Sequence, residues 1–540
     1  MAFLDTLRNL LPNGGRNDKP RPDARFMEGE KGTVWAKWWP MLREPREDVG
    51  EAYDRAQARA VDMAQNVGWI AGGIEASAAS VVGGGLRLQA KPKYQSLGMD
   101  ETTAKQWAKD VEALWHSYAC SANECDAEGR SDHGKQQRQA YMSFIATGEI
   151  VAELPYINAA NSLNKSKVRV IPPMRMSRET NLLDNVVQGV QLNTHGRPMA
   201  YRFKYTNHFG QYRDLMVPAR DRYNRLRLLH VFDGMAGQVR GISPLTPALR
   251  VAKRFDQLAN ATLTANILRS VFAATLTSEY PTNEAMQGLL THKEQAQVSS
   301  AGDSVSAFDC WNAAQQGWYE GAQIDIGTAG RIAHLFPGQK LDLMTVKGAA
   351  GEYETYAKML LREIARCLGI TYEDFTGDYA GVTFSSIRMA VHQIWAIVME
   401  RRRNVLSPFN NGCYENWLEE QIETGRVMLP GGMEQFMSER AGICYAEWKG
   451  TPRPQADDEK MAKAVKILNE IGALSLTQLC DDLGYDYEDT VAYLAAEKEL
   501  REELGIELAA ETAATLAREK ISSDEAKKQE AEEGRSSEEY

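Results

Sequence analysis

Apolar residues recur at helical spacing across 48–81, at Ala52, Ala56, Ala60, Met63, Val67, Ile70, Ile74 and Ala78, and predict one long helix. Gly83-Gly84-Gly85 ends it, and Leu86-Arg87-Leu88-Gln89-Ala90 then alternates as a strand does. Helices are expected over 101–119, with Trp107, Val111, Leu114, Trp115 and Tyr118 on one face, and over 133–147, stopped by Gly148. Between 149 and 232 the period falls to two. Strands are predicted at 150–154, 168–171, 187–192, 200–203 and 228–232, with a turn at Asn193 to Pro198. Ser243 and Pro244 suit the start of a helix running from about 245 to 274. A polar, turn-rich stretch follows, with one strand at Gly330 to Pro337, and then a helix over 351–368 ended by Gly369. A loop rich in Gly, Asp and Thr leads to a long helix from Ser385, with Arg401-Arg402-Arg403 on its wetter side and a kink at Pro408. A small helical module spans about 456–505.

A chain of 540 residues, 43% hydrophobic and 25% charged, suits a folded protein of two to four lobes. No apolar run reaches the roughly 20 residues of a bilayer crossing. Phe3, Leu4, Leu7, Leu10 and Leu11 give the N-terminal segment a short amphipathic pattern, expected of an arm rather than a secretory leader. The net charge of −11 argues against a surface that wraps nucleic acid, though not against a passage along which DNA slides. From Glu497 to Tyr540 there are 14 acidic and 7 basic residues, which predicts a helix fraying into a disordered acidic tail.

Catalytic signatures are missing. The chain has no GxxxxGK[ST], HExxH or GxSxG, so no phosphate loop, zinc protease helix or nucleophile elbow is expected. Seven cysteines form no disulfide framework. Cys120 and Cys125 would need His116 and His133 to make a metal site, and free thiols are the simpler reading. The Asp pairs at 457–458 and 481–482 sit at adjacent helical positions that do not face each other. No metal and no cofactor is expected.

Five segments, in order, resemble the portal proteins of lambda-type tailed bacteriophages. Asn66-Val67-Gly68-Trp69-Ile70 through Val81-Val82-Gly83-Gly84-Gly85-Leu86 is similar to that family's early helix and turn. Gly189-Val190 through Gly196-Arg197-Pro198-Met199-Ala200-Tyr201 is similar to its β-turn element. His230-Val231-Phe232 with Gly237-Gln238-Val239-Arg240-Gly241-Ile242-Ser243 resembles the entry to its stem. Leu368-Gly369-Ile370 with Phe384-Ser385-Ser386-Ile387-Arg388, and Gly484-Tyr485-Asp486-Tyr487-Glu488-Asp489, complete the set. Phe384 stands where the family pattern has Tyr, and the charged tail after Arg518 has no counterpart in it.

The resemblance implies an α+β portal fold: an arm at 1–24, a mixed wing at 25–242, stem helices at 243–274 and 351–370, and a clip at 275–350 between them. A tunnel loop at 371–384, a long wing helix and connector at 385–454, a helical crown at 455–510 and a disordered acidic tail at 511–540 follow. It further implies a ring of about twelve subunits at one capsid vertex, present in the host cytoplasm during assembly and then in the virion, with no membrane. Double-stranded DNA would pass through the lumen, and the partners would be the terminase, the major capsid protein and a head-tail adaptor. The packaging ATPase would sit on the terminase, and this chain would be no enzyme.

On that mapping Asp374, Thr376, Gly377, Asp378, Tyr379 and Gly381 line the tunnel, where glycines permit movement and carboxylates repel phosphate. A plain helix–helix connector would look the same. Lys253, Arg254 and Arg269 of the first stem helix could track phosphates, or form an exposed charged face. Trp311, Trp318 and Tyr319, with Phe308 and Phe336, could meet partners at the clip or fill a local core. Two other readings stay open. One is a minor capsid or adaptor protein that conducts no DNA. The other is a DNA-binding regulator using 465–495 as a helix-turn-helix, whose second helix, Tyr487 to Glu497, is acidic where a groove reader is basic.

Overall fold

The computed structural model describes residues 43–206, 212–271 and 349–505, apart from 455–457 and 486, together with isolated positions between 275 and 334. The expected arm at 1–24 and tail at 511–540 lie outside the described residues.

The first apolar stripe makes two helices rather than one. α1 (Pro45–Asn66) and α2 (Gly68–Val81) meet at Val67, whose backbone is extended at φ −105° and ψ 108°. Asn66, Val67 and Gly68 are all weak helix formers, and the break lets α2 turn to bury Ile70, Ile74, Ala78 and Val81. β1 (Arg87–Ala90) follows. α3 (Glu101–Ala119) and α4 (His133–Thr147) begin where Asp100 and Asp132 accept the amides of Thr103 (3.1 Å) and Lys135 (2.7 Å). Trp115 of α3 sits at the centre of the core, its ring centroid 5.2–5.7 Å from those of His133, Tyr414, Trp417 and Trp448.

β2 (Glu149–Glu153) lies between β3 (Arg169–Ile171) and β8 (Leu228–Phe232), antiparallel to both. A second sheet runs β4-β5-β6-β7: Val186–Val187, Val190–Leu192, Pro198–Thr206 and Tyr212–Pro218. The strand expected at 187–192 is therefore a hairpin. Gln188 and Gly189 turn it with φ of 50° and 80°.

α5 (Leu249–Val271) follows a short 3-10 turn at Thr246–Ala248, so the helix proper begins later than the sequence suggests. β9 (Thr275–Leu276), β10 (Gln323–Asp325) and β11 (Arg331–His334) form a small sheet, and α6 (Ala349–Leu368) returns to pack on α5. Val251, Ala252 and Phe255 at the start of α5 share one core with Leu361, Ile364, Ala365 and Leu368 at the end of α6. The pair therefore runs antiparallel, rooted at one end. Beyond Phe255 and before Ala357 no described side chain of either helix is buried.

α7 (Phe384–Arg401) and α8 (Ser407–Glu423) form the long helix, joined by a π turn at Arg402–Leu406. Pro408 has no N–H to give, and the Ser407 amide and Oγ both reach back to Arg402 O, widening the turn ahead of the proline. α9 (Gly432–Ile443) was not legible as a helix, and β12 (Ala446–Lys449) pairs with β1, Leu88 opposite Trp448. The C-terminal module comprises α10 (Asp458–Glu470), α11 (Leu476–Leu483) and α12 (Tyr487–Leu504), with no described residue buried.

Candidate functional site

The segment expected to be a flexible loop at 371–384 begins as a short helix. Thr371 Oγ1 accepts the Asp374 amide at 3.0 Å and starts a helical turn and a half, Tyr372–Thr376, which Gly377 ends in the left-handed region at φ 68°. Phe375 is buried against α2. A Cβ on Gly73 would come within 2.5 Å of both the Phe375 ring and Leu368, so only glycine allows this approach. The exposed half is ordered by its own polar groups. Asp378 accepts the Ala380 amide at 3.1 Å, and Tyr379 OH donates to Asp374 Oδ1 at 3.2 Å. Thr383 and Ser386 form a capping box that starts α7.

Asp374, Thr376, Gly377, Asp378, Tyr379 and Gly381 are thus brought together on one projecting turn. The carboxylates of Asp374 and Asp378 are already engaged: Asp374 by Tyr379, and Asp378 by Lys358 of α6, whose Nζ is 3.6 Å away and also 2.7 Å from Glu354. Lys253 and Arg254 are exposed on α5, and Lys253 Nζ lies 3.2 Å from Asp256 Oδ2. Among the described residues neither joins the loop. The backbone of Arg269 lies in α5, but its side chain, like Trp311, Trp318, Tyr319, Phe308 and Phe336, falls outside the described residues.

The arginine run is the main correction. Arg403 is exposed as expected, but Arg401 and Arg402 are buried, each satisfying the last carbonyls of a different helix. Arg401 donates to Leu368 O and to Cys367 O (3.0 Å) at the end of α6. Arg402 donates to Val81 O at 2.8 Å and Ser80 O at 2.9 Å at the end of α2, and burial pushes its pKa down to about 10.

The entry to α5 carries a second network that the sequence did not announce. Glu149, fully buried, receives Arg240 Nε at 2.7 Å and Nη2 at 2.9 Å, Tyr53 OH at 2.9 Å and the Gly241 amide at 2.7 Å. Burial alone would raise the pKa of its carboxyl, but the Arg240 guanidinium outweighs this and holds it well below the ordinary carboxylate range. Ser243 Oγ accepts the Leu245 amide at 3.1 Å and donates to Ile145 O at 2.6 Å, tying the stem entry to α4. Cys120 is exposed with its sulfur 3.6 Å from His116, whereas His133 lies in the aromatic core bonded to Gln136 and Asn410. No group of three metal-ligating side chains occurs among the described residues.

The antiparallel pair α5 and α6 is thus rooted in a mixed body of helices and small sheets, and the turn at 371–384 follows its second helix. The profile of the family described as "Phage portal protein, lambda family" matches residues 31–402, and the chain belongs to that family. It is 28% identical over 464 residues to the portal protein of Escherichia phage N15, covering 84% of this chain and 86% of that one. It is 28% identical over 483 residues to portal protein B of Escherichia phage lambda, covering 87% and 89%. A solved chain from the virion of a native gene transfer agent particle aligns at 14% identity with a TM-score of 0.33, over 76% of this chain and 98% of that chain.

Proposed function

We propose that the chain forms a closed ring of about twelve copies at one vertex of the virion, with α5 and α6 lining a bore for double-stranded DNA. The observation that carries this reading is the rooted, antiparallel stem pair. Its buried end is fused to the wing, while its far half exposes Leu263 (59%) and Tyr356 (55%) and leads into the intervening segment 275–350. Apolar faces of that size on a projecting rod suit side-by-side packing around an axis. The 275–350 segment then meets the terminase during packaging and a head-tail adaptor afterwards, while the wing contacts the major capsid protein.

In this arrangement the turn at 371–384 faces the bore, with Tyr379 and Gly381 outermost and Asp374 and Asp378 supplying negative charge. Lys253, Arg254 and Arg269 supply a sparse cationic track. The work is geometric and involves no catalytic step. Transport needs weak contact with phosphates, which a chain of net charge −11 provides through mild repulsion.

Electron microscopy of the full-length protein tests the ring: averages with rotational symmetry and a central hole are expected. A strictly monomeric protein, alone and with capsid components, would overturn the reading in favour of an adaptor outside the channel. Deleting 371–384 should leave rings intact and impair packaging or retention of DNA, and normal packaging would remove the loop from the channel.

A further inference from the structure

One buried side chain holds the point where the turn leaves the stem. Arg401 Nη1, bonded to Leu368 O, also reaches Ser77 Oγ on α2 at 3.2 Å and Tyr141 OH on α4 at 3.0 Å. Ser77 Oγ donates to the same Leu368 carbonyl at 2.9 Å. Gly369, at φ 71°, turns the chain beneath the guanidinium, where a Cβ would lie 2.8 Å from Nη1. Nη1 shares its two N–H groups among Leu368 O, Ser77 Oγ and Tyr141 OH while Nη2 serves Cys367 O, a planar forked reach that an ammonium lacks. Arg402, the next residue, is equally buried and also completes a helix end. Its helix is α2, however, and its remaining contacts are Thr451 Oγ1 at 3.0 Å and the Trp395 ring, whose centroid lies 5.1 Å from the guanidinium carbon, so it makes no bond to the end of α6. The two arginines are alike in burial and in the kind of bond they make, and differ in what they hold.

We propose that Arg401 is a positioning residue for the channel turn, fixing the end of α6 to wing helices α2 and α4 so that the turn keeps station with the wing. Arg402 secures the packing of the wing alone. The proposal rests on the channel reading given above.

Hydrogen exchange on rings of the full chain separates the two roles. Arg401→Met and Arg402→Met should lower the melting temperature by similar amounts. Only Arg401→Met should speed exchange of the Phe375 and Gly377 amides, which bond to Thr371 O and Glu373 O, by tenfold or more. Arg401→Lys should recover part of that protection. Equal acceleration in both methionine variants, or none in Arg401→Met, overturns the proposal. If Arg401→Met does not assemble, Ser77→Ala removes one tie with little loss of volume and is read the same way, unchanged exchange counting against the proposal. Faster exchange with normal DNA retention would support the positioning role and overturn the loop's action on DNA. Failure of the wild-type chain to form rings would instead remove the ring reading.

Discussion

At the scale of single residues, this protein places full charges where water does not reach and surrounds them with partners. Replacing Glu149 by Gln leaves the Arg240 guanidinium buried without its counter-charge, at an expected cost of about 3–5 kcal/mol. Arg240→Met should cost a similar amount. Because the two side chains form one network, the double variant should lose less than the sum, measurable by urea unfolding. A fully additive double variant would mean that the pair is not coupled. His133 makes a separate prediction about pH. Burial pushes its pKa from 6.5 down to about 4, so as pH falls the unfolded chain takes up this proton first. The contribution of the neutral ring is therefore complete above pH 6.5 and declines toward pH 4, by roughly 3 kcal/mol in all. His133→Phe should be less stable at neutral pH, since Asn410 and Gln136 lose a partner. It should also show a flatter dependence of stability over that interval, and an unchanged slope would assign the titration to another group.

At the scale of elements, the π turn between α7 and α8 sets the rotation of α7. A π turn is one residue more than an α-helix needs, so deleting exposed Asn404 should restore α geometry and rotate Phe384–Arg401 by about 100° relative to α8. That rotation would pull Arg401 and Arg402 from their carbonyls. The deletion should lower the melting temperature by many degrees, while Asn404→Ala should be nearly silent. A mild deletion phenotype would mean that the turn's extra residue is dispensable. These effects also explain which elements the sequence announces. α3 and α4 match the expected spans 101–119 and 133–147 because their boundaries are local: Asp100, Asp132 and Gly148 do the capping themselves. The β4–β5 hairpin looks like one strand in the sequence because its turn is held from far away, Gln188 O by Arg240 at 2.9 Å and its side chain by Arg46 O at 3.3 Å. α9 has only Phe436, Gly442 and Ile443 buried, too few to produce a readable period. Of the candidate site, composition marks the Gly- and Asp-rich loop, while its place along a channel comes only from the family resemblance. Its anchors were not legible, because nothing local distinguishes a buried arginine run from a wet one when the carbonyls it caps lie on other helices.

At the scale of the whole molecule, a single copy buries none of the described side chains of the C-terminal module. Ile467 on α10, Ile471 just after it, and Tyr493 and Leu494 on α12 are 58%, 69%, 70% and 55% exposed, and Lys109 to Glu488, at 2.8 Å, is a solvent-exposed tie to α3. An exposed ion pair contributes at most about 1 kcal/mol, and no described residue of the module is buried, so the module adds little apolar packing to the rest of the chain. Ending the chain after Pro454 should therefore change the wing's melting temperature by no more than a few degrees. Three helices cannot recover the entropy of folding while apolar faces such as these stay wet. If the ring reading holds, those faces are covered by the same module of neighbouring copies, and the amides of 458–505 should exchange slowly in rings and fast in monomers. Exchange that is equally fast in both states would mean that the ring does not cover the module. Slow exchange in the monomer would mean that its helices are stable without the neighbours that this argument requires.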